Sequence, residues 1–237
     1  MKGLISCCLL LISLLSFSQT IDVDKSDKGS TVINNLYTSG LPYVNAKFVR
    51  LVSGSPFFNE EMMRGVLISS DNTEYRNIIV RLNLLESQVN FLNNKKEELI
   101  VGTPLREVTL SDSINQKNYH FIFSDHIEST DKVEKGFYQL LQKGKAGLYA
   151  QHKKVLKENR PYNSATYEQS IETYVMYYVL LGEQWKKINK IKDLPSVLSD
   201  KKSEVQEYIS SKGLSGYKQA DVESVINYYN SLFADKK

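Results

Sequence analysis

Hydrophobic and polar side chains take turns through the middle of the chain. Ile78, Val80, Leu82 and Leu84 alternate with Asn77, Arg81 and Asn83, a period of two that gives a strand one dry and one wet face. Gln88 to Leu92 repeats the pattern, with Val89 and Phe91 opposed to Gln88 and Asn90. Tyr119 to Phe123, Phe137 to Leu141 and Tyr174 to Leu181 are aromatic or aliphatic runs of strand length. Turn formers fall between the runs: Ser70-Asp71-Asn72, Asn93-Asn94, Ser111-Asp112, Lys143-Gly144 and Gly182-Glu183. Asx residues and glycine suit such places because they tolerate positive φ or cap their own turn. No long helical pattern separates the runs, so an antiparallel meander is expected rather than βαβ units. A large sheet and a partly open barrel both satisfy the pattern, and a short helix over Asn59 to Met63 is compatible with it.

The period changes near the C-terminus. Val222, Val225, Ile226, Tyr229, Leu232 and Phe233 fall three or four residues apart, which predicts an amphipathic helix. Before it, Val205, Tyr208 and Ile209 share one helical face, Ser199-Asp200 is suited to cap it, and Gly213 is placed to end it. Two such short, one-sided helices need an apolar surface to dock on, and the dry face of the sheet is the available one. The expected class is α+β: an antiparallel β-meander with a C-terminal helical hairpin on it.

The N-terminus has another pattern. Lys2 precedes an uncharged apolar run from Gly3 to Leu15, and Ser16-Phe17-Ser18 places small residues before Gln19. This is the layout of a cleavable secretory signal peptide. The run is shorter than the ~20 residues a membrane-spanning helix needs, and Cys7 sits too early in it to serve as a lipidation site. The division expected is therefore a signal peptide over 1–18, a polar leader over 19–46 with a strand near Val32 to Tyr37, a β-rich body over 47–192, and the helical segment over 193–237, packed on the same domain. No later segment is apolar enough to span a membrane, so the processed chain is expected in the periplasm or outside the cell.

Composition sharpens this picture at two points. Both cysteines, Cys7 and Cys8, fall within the expected signal peptide, so the mature chain has no thiol for a disulfide, a metal or nucleophilic catalysis. The formal charge of +3 drops to +2 once Lys2 is removed, too little to argue for nucleic acid.

The run Gly54-Ser55-Pro56-Phe57-Phe58-Asn59, the strand start Lys135-Gly136-Phe137, and the ending Ile191-Lys192-Asp193-Leu194-Pro195 with Asp221 to Asn230 resemble a group of small exported proteins found across Bacteroidetes. The resemblance spans Gly54 to Phe233 and leaves out the basic, aromatic segment 143–178. It rests on turns, a strand start and a helical face. It implies export and a β-rich body with a helical tail, and it implies no activity.

Chemistry is sparse. His120 and His126 flank Ser124-Asp125, but on one strand they would stand about 20 Å apart, too far to share a metal ion. No Gly-x-Ser-x-Gly elbow, His-Glu-x-x-His, phosphate loop or EF-hand occurs. Glu60, Glu61, Asp71, Glu97, Glu98 and Asp125 are candidates for the paired carboxylates of a glycosidase-like hydrolase, and each also suits a solvated turn. Trp185, the single tryptophan, is expected in packing. The most uneven feature is charge: Asp131 to Arg160 holds eight basic and three acidic residues. Lys143, Lys145, Lys153, Lys154 and Lys157 form a candidate patch for an anionic envelope partner, with strand-edge protection as the plainer reading. The expectation is an exported, non-enzymatic protein with no cofactor that binds an envelope component or protein or plays a structural role. A carboxylate-dependent hydrolase is the alternative.

Overall fold

The computed structural model describes residues 19–22, 50–162 and 166–234. The expected signal peptide and the strand near Val32 to Tyr37 lie outside them. The strands are β1 (Thr20–Asp22), β2 (Leu51–Ser53), β3 (Met63–Ser69), β4 (Glu74–Asn83), β5 (Gln88–Leu92), β6 (Glu98–Ile100), β7 (Leu105–Asp112), β8 (Lys117–Phe123), β9 (Phe137–Gln142), β10 (Ala146–Asn159), β11 (Glu168–Leu181) and β12 (Gln184–Ile188). The helices are α1 (Leu194–Val197), α2 (Lys202–Ser211) and α3 (Gln219–Ser231).

The strands form one open sheet in the order β6-β5-β4-β3-β7-β8-β9-β10-β11-β12. The ladders along that path are antiparallel, as the alternation implied. Two short strands make the sheet mixed: β1 lies parallel to β4 and β2 parallel to β11. The meander also has a break. From β3 the chain steps outward to β6, returns to the other side of β3 as β7, and then steps outward to β12.

One face of the sheet carries a continuous row of ladder partners: Leu67, Val108, Phe121, Gln139, Ala150, Tyr177 and Ile188. On one side of Gln139 the sheet curls on itself. Val80, Leu82, Val89 and Phe91 of β4 and β5 join Phe121 and Phe137 in one buried cluster, and Ser87 lies against Gly136 although β5 and β9 are far apart in strand order. Asn77, at φ 58, takes up an irregular step in the β3–β4 ladder, so Tyr75 and Ile78 both face this interior. On the other side of Gln139 the row is covered by the helices. Val205 and Ile209 of α2 and Val222, Val225, Ile226 and Tyr229 of α3 pack on Ala146, Leu148, Ala150, Val179 and Ile188. Burial of each such side chain contributes about 1.5–3 kcal/mol, which holds helices too short to persist alone.

The helical hairpin matches its sequence signal, but its start does not. Ser199 and Asp200 lie in a 3-10 turn, and α2 begins at Lys202 without a side-chain cap. Asp200 instead accepts the Tyr229 hydroxyl at 2.9 and 3.0 Å, so a contact with α3 takes the carboxylate away from the local one. On the opposite face of the sheet, Trp185 stacks on Tyr178 at 5.0 Å and meets Tyr138 and Tyr149 edge-on, in a buried aromatic cluster closed by Ile127.

A strap crosses the inner face. After β2, Gly54 turns at φ +78, and a Cβ there would run into the Ile171 carbonyl. Pro56 to Phe58 then join the end of β4, with Phe58 N–H donating to the Leu82 carbonyl at 2.8 Å and Leu84 N–H to Pro56 at 2.9 Å. The Arg81 guanidinium sits 3.6 Å over the Phe57 ring. Phe58 lies edge-on to Tyr119, Phe121 and His152, over the junction between the two cores. These backbone bonds explain why Asn59 to Met63 is not a helix: the chain arrives extended, turns with Asn59 Oδ1 accepting the Glu61 N–H, and enters β3 at Met63.

The strap makes Gly54 irreplaceable. Gly54→Ala combines a left-handed backbone with a clash against main chain. It is expected to cost more than about 2 kcal/mol in urea unfolding, whereas Val52→Ala, at an exposed position, is expected to stay within about 0.5 kcal/mol.

Candidate functional site

The five lysines do not converge. Lys143 and Lys145 stand in the exposed β9–β10 turn, where the Lys145 ammonium lies 5.7 Å from the Phe233 ring. Lys153 is about 26 Å further along β10 at strand rise. Lys153 and Lys154 point to opposite faces of the strand, as neighbours in a strand must. Lys153 pairs with Glu134 at 2.6 Å on the outer face. Lys154 is half-buried on the inner face, where burial lowers its pKa and the Glu60 carboxylate opposes that shift. Lys157 is exposed near the strand end.

Lys153, Lys154 and Lys157 share a different feature. β10 and β11 pair over fourteen residues each, but β9 reaches β10 only as far as Ala150, and β12 meets β11 only from Tyr177 onward. Nine residues of each strand therefore run on as a two-stranded arm of about 30 Å, with β2 as the one further strand paired to it among the described residues and Phe58 and Glu134 against its base. Its base is anchored: Gln151 accepts the Tyr178 hydroxyl at 3.1 Å, and His152 bonds Gln139 at 2.7 Å. Tyr174 and Val175, opposite Lys153 and His152, are exposed near the base, and Leu156, Tyr162 and Tyr167 further out, with Val52 on β2. Over the arm strands, Lys153, Lys154 and Lys157 are answered by Glu158, Glu168 and Glu172, so apolar area rather than charge distinguishes it.

The histidines separate. His120 meets Glu107 at 3.1 Å and Thr109 at 3.3 Å, and burial lowers its pKa. His126 ends the turn after β8, where its Nε2 lies 3.1 Å from the Ser70 hydroxyl. Among the described residues no group of three or more His, Cys, Asp or Glu side chains could hold a metal ion. Of the candidate acids, Glu98 is held by Arg81 through two bonds of 2.9 and 2.7 Å and by Asn90. Asp71 caps its own turn through Ser69 and Thr73, which hold its carboxyl below the usual range. Glu60, Glu61 and Asp125 are exposed, and Glu97 accepts from Asn93.

Sequence reasoning missed a cleft. Where the curl brings β5 opposite β9, a cleft of about 340 Å³ opens. Val89, Leu105, Phe123 and Phe137 form its apolar wall, and Ser70, Asp125, His126 and Lys135 its polar rim. Ser70 and His126 come from turns 56 residues apart, and no local period links them.

His152 gives the inner face a pH dependence. Burial, with a smaller push from Lys154, drives its pKa down to about 4. The folded chain thus binds this proton more weakly than the unfolded one, whose imidazole titrates near ~6.5. Stability is complete above that value and is lost as pH falls toward 4. Between pH 7 and 4.5 the wild type is expected to lose on the order of 2 kcal/mol more than His152→Gln in urea unfolding. Equal losses would contradict the assignment.

Comparison of the chain with protein families, with curated proteins and with solved structures finds no match in any of the three.

Proposed function

We propose that the protein is exported and non-enzymatic, and that it holds a partner of the cell envelope through the β10–β11 arm. One observation carries the reading: a ribbon that outruns its sheet by nine residues per strand and keeps Leu156, Tyr174 and Val175 in water. Two-stranded ribbons gain little stability alone, and exposed apolar side chains suit an interaction surface; Leu156 and Val175 lie on the inner face of the ribbon and Tyr174 on the outer. Tyrosine and arginine suit such a surface; Tyr162, Tyr167 and Arg160 supply them, with Arg160 5.6 Å from the Tyr167 ring. Lys157 adds a charge for acidic groups on the partner. Export is supported by the charge-apolar-small layout of residues 1–18.

The test uses the purified mature chain and cell-envelope fractions. The chain is expected to cosediment, and the combined variant Leu156→Ser, Tyr174→Ser, Val175→Ser to be retained at least tenfold less at an unchanged unfolding temperature. Lys157→Glu should weaken retention by a smaller factor that vanishes in high salt. Undiminished retention of the triple variant would remove the arm from the reading. Turnover of an envelope polymer that is lost on substituting a carboxylate would replace the whole reading with the hydrolase.

A further inference from the structure

The cleft between β5 and β9 is separate from the arm and has a chemistry of its own. Its volume of about 340 Å³ sits at the low end of small-ligand sites, ~300–1,000 Å³. Its inner wall is core: Val89 is 2% exposed, Phe137 5% and Leu105 8%. An apolar group entering there meets side chains already fixed by the fold.

The rim carries two charges that do not satisfy each other. Lys135, just before β9, forms no ion pair among the described residues. Asp125, in the turn after β8, accepts among the described residues only from its neighbour Ser124 at 3.0 Å. Both line the cleft, and neither pairs with the other. Ser70 and His126 stand beside them as a hydrogen-bonding pair, 3.1 Å apart. A plain anion would meet the Asp125 carboxylate, and a plain cation would meet the Lys135 ammonium. A molecule with both signs answers both, and the apolar wall asks for a hydrocarbon side chain on the same molecule.

We infer that this cleft binds a small zwitterion with an apolar side chain, of the class of the aliphatic and aromatic α-amino acids. The carboxylate faces Lys135 and the Ser70–His126 pair, the ammonium faces Asp125, and the side chain lies against Leu105, Phe123 and Phe137. The same ionic pattern occurs in a free amino acid and across a short peptide, whose two charges stand further apart. Nothing here depends on the arm, and either reading can fail without the other.

Titration calorimetry of the mature protein at pH 7 against L-leucine, L-phenylalanine and Leu-Leu dipeptide tests it. At least one of the three is expected to bind, and which one distinguishes a free amino acid from a peptide. N-acetyl-leucine and leucinamide, each missing one charge, should bind at least tenfold more weakly than leucine if leucine is the ligand; for the dipeptide, its N-acetyl and amide forms are the comparison. Lys135→Gln and Asp125→Asn, both exposed and outside the core, should each weaken binding at least tenfold without moving the unfolding temperature. Absence of binding by all three probes, or binding indifferent to both substitutions, overturns the inference.

Discussion

The backbone from Gly54 to Phe58 ties the two flanks of the curl together. An open sheet of this breadth has a long inner face to keep dry, and it does so by two means, a roll of strands on one side and helices on the other. Neither cover reaches the middle, where Gln139 and His152 stand. The strap does. It leaves β11 at a glycine that passes within contact of the Ile171 carbonyl, crosses the face, and hydrogen-bonds to the end of β4. Phe58 then lies on Phe121 from one core and on His152 beside the other.

The polar groups under the strap are tolerable because they satisfy each other. The neutral His152 ring gives its Nε2 hydrogen to Gln139 at 2.7 Å. A bonded pair inside an apolar face costs little, while one member left alone would cost roughly 1–3 kcal/mol. The outer face is tied down in a similar way. Asp131 accepts the Trp185 amide at 2.9 Å and the Lys186 ammonium at 3.2 Å, both of which hold its carboxyl below the usual range. Those bonds, with Thr130 and Ser129 donating to the Glu183 carbonyl, dock the loop before β9 beside the buried aromatic cluster.

The fold class was legible because its two signals are local. Ile78, Val80 and Leu82 alternate with polar neighbours and do face one interior, and Val222, Val225, Ile226 and Tyr229 share the buried side of α3. β10 was not legible: Gly147, Gln151, His152, Lys153 and Lys154 break the alternation, since its inner face changes from helix-covered to strap-covered partway along. Asp200 misled because a tyrosine of the next helix claims it. The lysine run was visible as composition, but a strand divides neighbouring residues between faces, and a run along it is not a patch. The cleft was invisible because Ser70, Val89, Asp125 and Lys135 come from four separate segments, joined only when the sheet curls.

The strap also orders events in time. The β10–β11 hairpin joins residues adjacent in the chain and can zip without help from the rest. Leu51 pairs with Gln169, so β2 has no partner strand until most of the polypeptide has emerged. During that interval the first half would present an unfinished core to the solvent, the condition under which chains stick to one another. A chain delivered slowly from its N-terminus would therefore gain most from a chaperone that shields β3 to β9 until β11 arrives.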